Sequence, residues 1–196
     1  MSINTRVIEQ IINNVVLEAP AIEPVDLDEF KEFARIDTVH DDNVLTTLLI
    51  SARELTEKFL SRSLIKQKRL QTMDFWPPCA VDLMWPNLLS VERVYSVDEE
   101  GVETLLDPSS YYADSDKYIP TITVKTGLDY PESDRPSGGI RIEYYAGYGE
   151  NKEDVPSAIR SAIMAIAASA FDDPEASSEI PPITKSELNI YRILSI

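Results

Sequence analysis

The stretch Ile140-Arg141-Ile142-Glu143-Tyr144-Tyr145-Ala146-Gly147-Tyr148-Gly149, followed by Val155-Pro156-Ser157-Ala158-Ile159-Arg160, decides the fold class. Ile140, Ile142 and Tyr144 alternate with Arg141, Glu143 and Tyr145, the period of a half-buried strand. After Pro156, a residue favoured at the first helical position, the period changes. Ile159, Ile163, Ile166 and Ala170 then form one row at helical spacing, widened by Met164, Ala167 and Phe171. Asp172-Asp173-Pro174 stops the helix. A strand followed by an alanine-rich helix calls for a mixed chain of strands and helices.

Working outward, the same two periods sort the rest of the chain. Residues 26–35 read as a short helix, with Asp26 at the N-cap and Glu29 placed for a capping box. Leu27, Phe30, Phe33 and Ala34 make its apolar side. Residues 42–60, behind Asp41, read as the longest helix. Val44, Leu45, Leu48, Leu49, Ala52, Leu55, Phe59 and Leu60 form one face, and Arg53, Glu54, Glu57 and Lys58 fall mostly opposite. Between 63 and 148 the period is two. Val81, Leu83 and Trp85 alternate, as do Val91, Arg93, Tyr95 and Val97. Asp98-Glu99-Glu100-Gly101 supplies a turn, from which 102–106 returns as a hairpin strand. Ile122 and Val124 mark a further strand. Residues 129–139 carry loop chemistry.

At the N-terminus, Val7, Ile8, Ile11, Ile12, Val15 and Val16 recur at threes and fours, so 3–17 reads as an amphipathic helix ended by Glu18-Ala19-Pro20. At the C-terminus, a polar, proline-containing linker precedes Leu188, Ile190, Tyr191, Ile193 and Leu194. Apolar surface placed beyond a linker is expected to dock on a partner; folding back on its own domain is the alternative. The resulting class is α+β: a small helical bundle with a β-rich insertion between helices, an N-terminal helix and an extended C-terminal tail. The expected divisions are 1–24 (helix and linker), 25–175 (core, with helices 26–35, 42–60 and 157–171 around an insertion at 63–148) and 176–196 (tail).

Composition narrows the function. The 196 residues hold 34 acidic and 18 basic side chains, a formal net charge of −16. A protein that grips nucleic acid needs clustered Lys and Arg to displace counterions, and anionic lipid asks for the same. No apolar run approaches the ~20 residues of a membrane span. Cys79 is the only cysteine, so no disulfide forms within the chain, and the N-terminus has no signal-peptide pattern.

Reactive chemistry finds little to build on. His40 is the only histidine and lies in an acidic turn, Asp37-Thr38-Val39-His40-Asp41-Asp42. As a calcium loop that turn fails: the sixth place holds Asp42 rather than glycine, and the twelfth holds Leu48 rather than glutamate. Asp114-Ser115-Asp116 is an equally incomplete acidic turn. Cys79 has no CxxC partner. Gly147-Tyr148-Gly149 does not extend to GxGxxG; its glycines let the chain turn out of the strand. No catalytic residue, cofactor-binding residue or metal ligand is therefore assigned. Trp76 and Trp85 flank a proline-rich stretch and leave open a carbohydrate-binding platform, and the many carboxylates leave open a hydrolase.

Three blocks in order resemble the head-tail connector (adaptor) family of long-tailed phages and prophages. The first is Val25-Asp26-Leu27-Asp28-Glu29-Phe30-Lys31-Glu32-Phe33-Ala34-Arg35-Ile36-Asp37 with His40-Asp41-Asp42-Asn43-Val44-Leu45 and the helix it opens. The second is Leu89-Ser90-Val91-Glu92-Arg93-Val94, a hairpin, and Tyr111-Tyr112-Ala113. The third is the stretch at 140–160. The match spans about residues 25–172, and 3–17 lies outside the pattern.

The resemblance implies a non-enzymatic ring subunit, twelve-fold, in the neck of the virion and made in the host cytoplasm. Its implied partners are the portal protein, a stopper or tail-completion protein, and further copies of itself. DNA would pass through the lumen without specific binding, and no membrane is involved. A stopper or tail-completion protein of the same particle is the nearest alternative. Leu188, Ile190, Tyr191, Ile193 and Leu194 are the expected partner interface.

Overall fold

The computed structural model describes residues 12–77, 80–131, 133–173 and 179–193. These form two compact units: a helical one (18–67, 85–89 and 146 onward) and a β-rich one (up to 17, 68–84 and 90–145). The chain is α+β, with four helices and eight strands in two antiparallel sheets among the described residues.

The helical unit holds α1 (Leu27–Ala34), α2 (Asp42–Leu60), α3 (Ser157–Asp172) and α4 (Pro182–Leu188). Leu45, Leu49, Ala52, Thr56 and Leu60 are the buried row of α2. Ile159, Ala162, Ile163, Ile166 and Ala167 are the buried row of α3. Both rows join one core with Val25, Phe30, Leu64, Ile65, Val155 and Leu188. The small side chains Ala52, Ala162 and Ala167 allow the helix backbones to approach closely. Both α1 and α2 end on a left-handed residue, Arg35 and Ser61, whose geometry lets the chain turn back sharply.

Asp26 and Asp41 occupy the N-cap positions, but neither side chain caps its helix. The expected Asp26/Glu29 capping box is not made. Both carboxylates instead pair with Lys152, and Glu29 also takes Arg160 at 3.1 Å. A charged partner competes well with a backbone N–H for a carboxylate.

The β-rich unit contains a five-stranded sheet in the order β1-β2-β8-β4-β5 and a three-stranded sheet β3-β7-β6. The strands are β1 (Ile12–Glu18), β2 (Gln67–Met73), β3 (Val81–Asp82), β4 (Leu88–Val97), β5 (Glu103–Leu105), β6 (Tyr111–Asp114), β7 (Thr121–Val124) and β8 (Ile140–Ala146). The β4–β5 hairpin forms as expected, with Tyr95 opposite Leu105 and Val97 opposite Glu103. Gly101 sits at φ +85° in its turn, and Asp98 Oδ1 accepts the Val102 N–H at 2.7 Å.

Two expectations are corrected. Residues 12–18 of the expected N-terminal helix are a strand, β1, paired with β2; residues 3–11 lie outside the described residues. The β-branched side chains Val15 and Val16 suit a strand. Asn14 fixes it there by donating to the Tyr144 hydroxyl at 2.8 Å and accepting from Arg69 Nε at 2.6 Å. An isolated helix of that length is marginal in water, whereas a sheet edge offers a ready partner. The C-terminal segment, expected as an extended tail, instead forms α4 and a short 3-10 turn over Asn189–Tyr191.

Candidate interaction surfaces

The expected interface lies in the C-terminal residues 188–194. Leu188 is only 1% exposed and belongs to the helical core, and Ile193 is buried as well. Tyr191 is half-buried against the same core. The Ile193 N–H donates to the Leu60 carbonyl at 3.0 Å. The Phe59 ring on α2 lies between two cations, Lys185 Nζ at 5.7 Å and Arg192 Cζ at 5.0 Å from its centroid, each a favourable contact with the ring face. The segment is thus folded back on its own unit, which corrects its reading as a free docking tail. Ile190 remains, 86% exposed. Leu194 lies outside the described residues.

Two buried ionic hubs were not foreseen. Amphipathic spacing placed Arg53 and Glu57 on the outer face of α2; both are buried. Arg53 Nε donates to Glu23 at 2.8 Å and Nη1 to Glu57 at 2.9 Å. The other oxygen of Glu57 accepts the Leu64 N–H at 2.8 Å and Gln67 Nε2 at 3.0 Å. This hub ties the linker before α1, the body of α2 and the chain leaving α2. Burial pushes the Glu23 carboxyl up, and Arg53 opposes that only in part.

The second hub crosses the five-stranded sheet. Glu143 of β8 is buried and accepts from Arg93 of β4, from Lys68 of β2 at 3.0 Å and from the Tyr95 hydroxyl at 3.0 Å. Arg93 continues outward to Glu103 of β5 at 3.2 Å, and Lys68 to Glu92 at 3.0 Å. Burial alone would raise the Glu143 carboxyl; hydrogen bonds from Arg93, Lys68 and Tyr95 outweigh it and hold it below the usual carboxylate range. The hydrogen bonds to Glu143 and Glu92 hold the Lys68 ammonium above its ordinary value. Burial, then the Glu143 carboxylate, pushes the Tyr95 hydroxyl up. These groups satisfy one another and act as a structural lock rather than a proton-transfer set.

His40 is exposed in its turn, and Cys79 lies outside the described residues. Trp76, in the β-rich unit, stacks on Tyr130 with centroids 4.4 Å apart and donates to the Pro131 carbonyl at 2.7 Å, so it locks a loop. Trp85 belongs to the helical unit. Among the described residues no group of three or more His, Cys, Asp and Glu side chains is placed to hold a metal, and no helix is long and apolar enough to cross a membrane.

What the surface does carry is exposed apolar side chains on ordered elements. On α1 and α2 these are Phe33, Val44 and Ile50, with Val39 in the turn between. On the five-stranded sheet they sit at both edges: Val15, Val16 and Leu17 on β1, and Val102 and Leu105 along β5. Exposed apolar residues on edges and helix faces are the material from which protein interfaces are made.

No family model matches the chain, and no curated protein matches it. Solved structures do. A chain in the virion of a native gene transfer agent particle is 19% identical, with a TM-score of 0.79, over 93% of this chain and 96% of that one. A chain in the neck of an empty gene transfer agent particle, computed with C6 symmetry, is 19% identical with a TM-score of 0.78, over 95% and 97%. A third, in the neck of a native particle computed with C12 symmetry, is 19% identical with a TM-score of 0.74, over 93% and 97%. The shared fold covers 93–95% of this chain and 96–97% of the chains it matches.

Proposed function

We propose that this chain is a structural, non-enzymatic ring subunit in the neck of a tailed phage or phage-like particle, an adaptor between the portal and the tail. The carrying observation is the end-to-end fold match to chains of neck structures computed with cyclic symmetry. Three further features agree with it. The ordered blocks around Val25–Asp37, Leu89–Val94 and Ile140–Arg160 resemble connector proteins. The buried groups around Glu57 and Glu143 satisfy one another and hold the elements that carry them in place. Apolar side chains lie exposed on rigid elements, where further copies and neighbouring proteins bury them.

In this reading the subunit works by shape. Copies join into a ring, twelve-fold as in the C12 neck, with portal on one side and a stopper or tail-completion protein on the other. The excess of carboxylates, a net −16, suits a channel through which DNA slides, because like charge repels phosphate.

Binding to portal separates this role from that of a stopper or tail-completion protein. Sedimentation of the chain with isolated portal should give a stable ring-on-ring complex that survives ~0.5 M salt, since apolar burial is not screened. Failure to bind portal, together with direct binding to tail rings, would assign the chain to the stopper position.

A further inference from the structure

A ring of identical subunits needs two different surfaces on each copy, one meeting the other on the next copy. The helical unit carries such a pair on its own. The three most exposed large apolar side chains among the described residues are Ile190 at 86%, Val39 at 78% and Ile183 at 77%. All three belong to this unit, and they fall at opposite ends of α2.

At the start of α2, the Lys31–Asp42 ion pair, 2.7 Å long, holds the last turn of α1 against the first turn of α2. Val39 in the connecting turn, Phe33 on α1 and Val44 on α2 are exposed there. Thr46 and Thr47, also exposed, extend the apolar ground. Their hydroxyls donate to the carbonyls of Asp42 and Asn43 at 2.8 and 2.9 Å, which leaves their methyl groups open to contact.

At the end of α2, the hydrogen bond from Ile193 to Leu60 and the burial of Leu188 anchor α4 and the turn after it. Lys185 and Arg192 both rest on the Phe59 ring. Ile183 and Ile190 are about two helical turns apart and so share one side of this segment. With α2 19 residues long, the two ends stand about 28 Å apart. The anchored isoleucines therefore cannot cover the Val39 patch of their own chain. A second copy can. Charge favours the same pairing: Asp28, Glu32 and Asp37 stand exposed around the patch against Arg35, whereas residues 182–193 carry Lys185 and Arg192 against Glu187, a basic excess in an acidic chain.

We propose that the Ile183–Ile190 side of α4 in one copy seats on the Phe33–Val39–Val44 patch of the next copy, joining neighbours head to tail. Burying these side chains removes from water the apolar surface that the monomer leaves uncovered. The inference rests on the ring reading and adds to it the contact that joins subunit to subunit.

The test uses the full-length chain in a Cys79→Ser background. One preparation carries Val39→Cys or Val44→Cys, and a differently tagged one carries Ile183→Cys or Ile190→Cys. Mixed and mildly oxidised, alone and with portal, at least one combination should give a covalent pair joining the two tags, since a disulfide forms only when Cβ atoms come within about 4.5 Å. Neither preparation should link to itself. Separately, Ile183→Asp/Ile190→Asp and Val39→Asp/Val44→Asp should each abolish rings while leaving the melting temperature unchanged, because all four sites are exposed. Rings that form without any mixed cross-link, or that persist in either aspartate variant, overturn the inference and leave the ring reading intact. Links within a single preparation overturn it in favour of a two-fold contact. Rings of the Ile183→Asp/Ile190→Asp variant that no longer bind portal assign that side of α4 to portal instead. Absence of rings from the unsubstituted chain, alone and with portal, overturns the ring reading, and this contact with it.

Discussion

The N–H of Ile193 donates to the carbonyl of Leu60, 3.0 Å away, so the end of the described chain closes on the end of α2. Leu188, one turn earlier, is buried in the core shared by α2 and α3. The C-terminal segment is therefore part of the folded unit, and its removal has a stability cost. Leu188→Ala should destabilise the protein by about 2–5 kcal/mol, the usual range for a buried leucine. Ile190→Ala, at an 86% exposed site, should stay within about 0.5 kcal/mol. Urea denaturation of the two variants checks the contrast. Equal, negligible effects would return the segment to the role of a free tail.

The Glu143 lock predicts a pH dependence with a definite sign. The folded protein holds this carboxyl below its ordinary value, so its contribution is present above the unfolded value and is lost as pH falls through the folded one. At pH 7, Glu143→Gln should cost at most the ~3–5 kcal/mol of breaking a buried pair. Arg93 is partly hydrated and retains Glu103, which lowers the cost. The gap between wild type and variant should narrow in acid, as the wild-type carboxylate becomes protonated. Denaturation midpoints measured from pH 7 downward test this; a gap that widens in acid would contradict it.

Two glycines show what lack of space adds to a backbone that already favours glycine, since φ is +85° at Gly101 and +153° at Gly147. A Cβ at Gly147 would lie 2.6 Å from the Lys66 nitrogen and 2.7 Å from the Ile65 carbonyl carbon, both immovable backbone. At Gly101, φ is +85° but nothing stands within 4 Å. Gly101→Ala should cost about 1–2 kcal/mol for the left-handed conformation alone. Gly147→Ala should cost more, because the strand exit must move. Thermal melts of the pair decide the order.

Buried Phe30 joins α1 to the helical core, whereas Phe33, three residues on, is half exposed. Phe30→Ala should cost about 3–5 kcal/mol. Phe33→Ala should leave the monomer stable and reduce ring formation. Stability and light scattering on the same two samples separate the roles.

How much of this was legible in the sequence follows from where the physics was local. Strand 140–146, helix 157–172 and the hairpin at 98–101 were readable because periodicity and turn residues are properties of neighbouring positions. Gly147 was readable as a turning point for the same reason. Strand β2, Gln67-Lys68-Arg69-Leu70-Gln71-Thr72-Met73, has no apolar alternation, because its buried face is Gln67, Arg69, Gln71 and Met73. Its polar atoms are satisfied by Glu57, Asn14 and the Asp82 carbonyl, which are distant in sequence. Arg53 and Glu57 misled for the same reason: a charge at helical spacing looks solvated until its partner is known. In residues 12–17 the spacing fits a helical stripe, and pairing with β2 overrode it. Leu188 and Ile193 looked free because the linker before them hides where the chain returns.

The most direct test is electron cryo-microscopy of the assembled particle with this chain carrying a C-terminal tag. Density for this fold, repeated around the axis as a closed ring between portal and tail, is the predicted result. The chain found in the capsid shell or tail tip, or particles with a complete neck that lack it, would contradict the account.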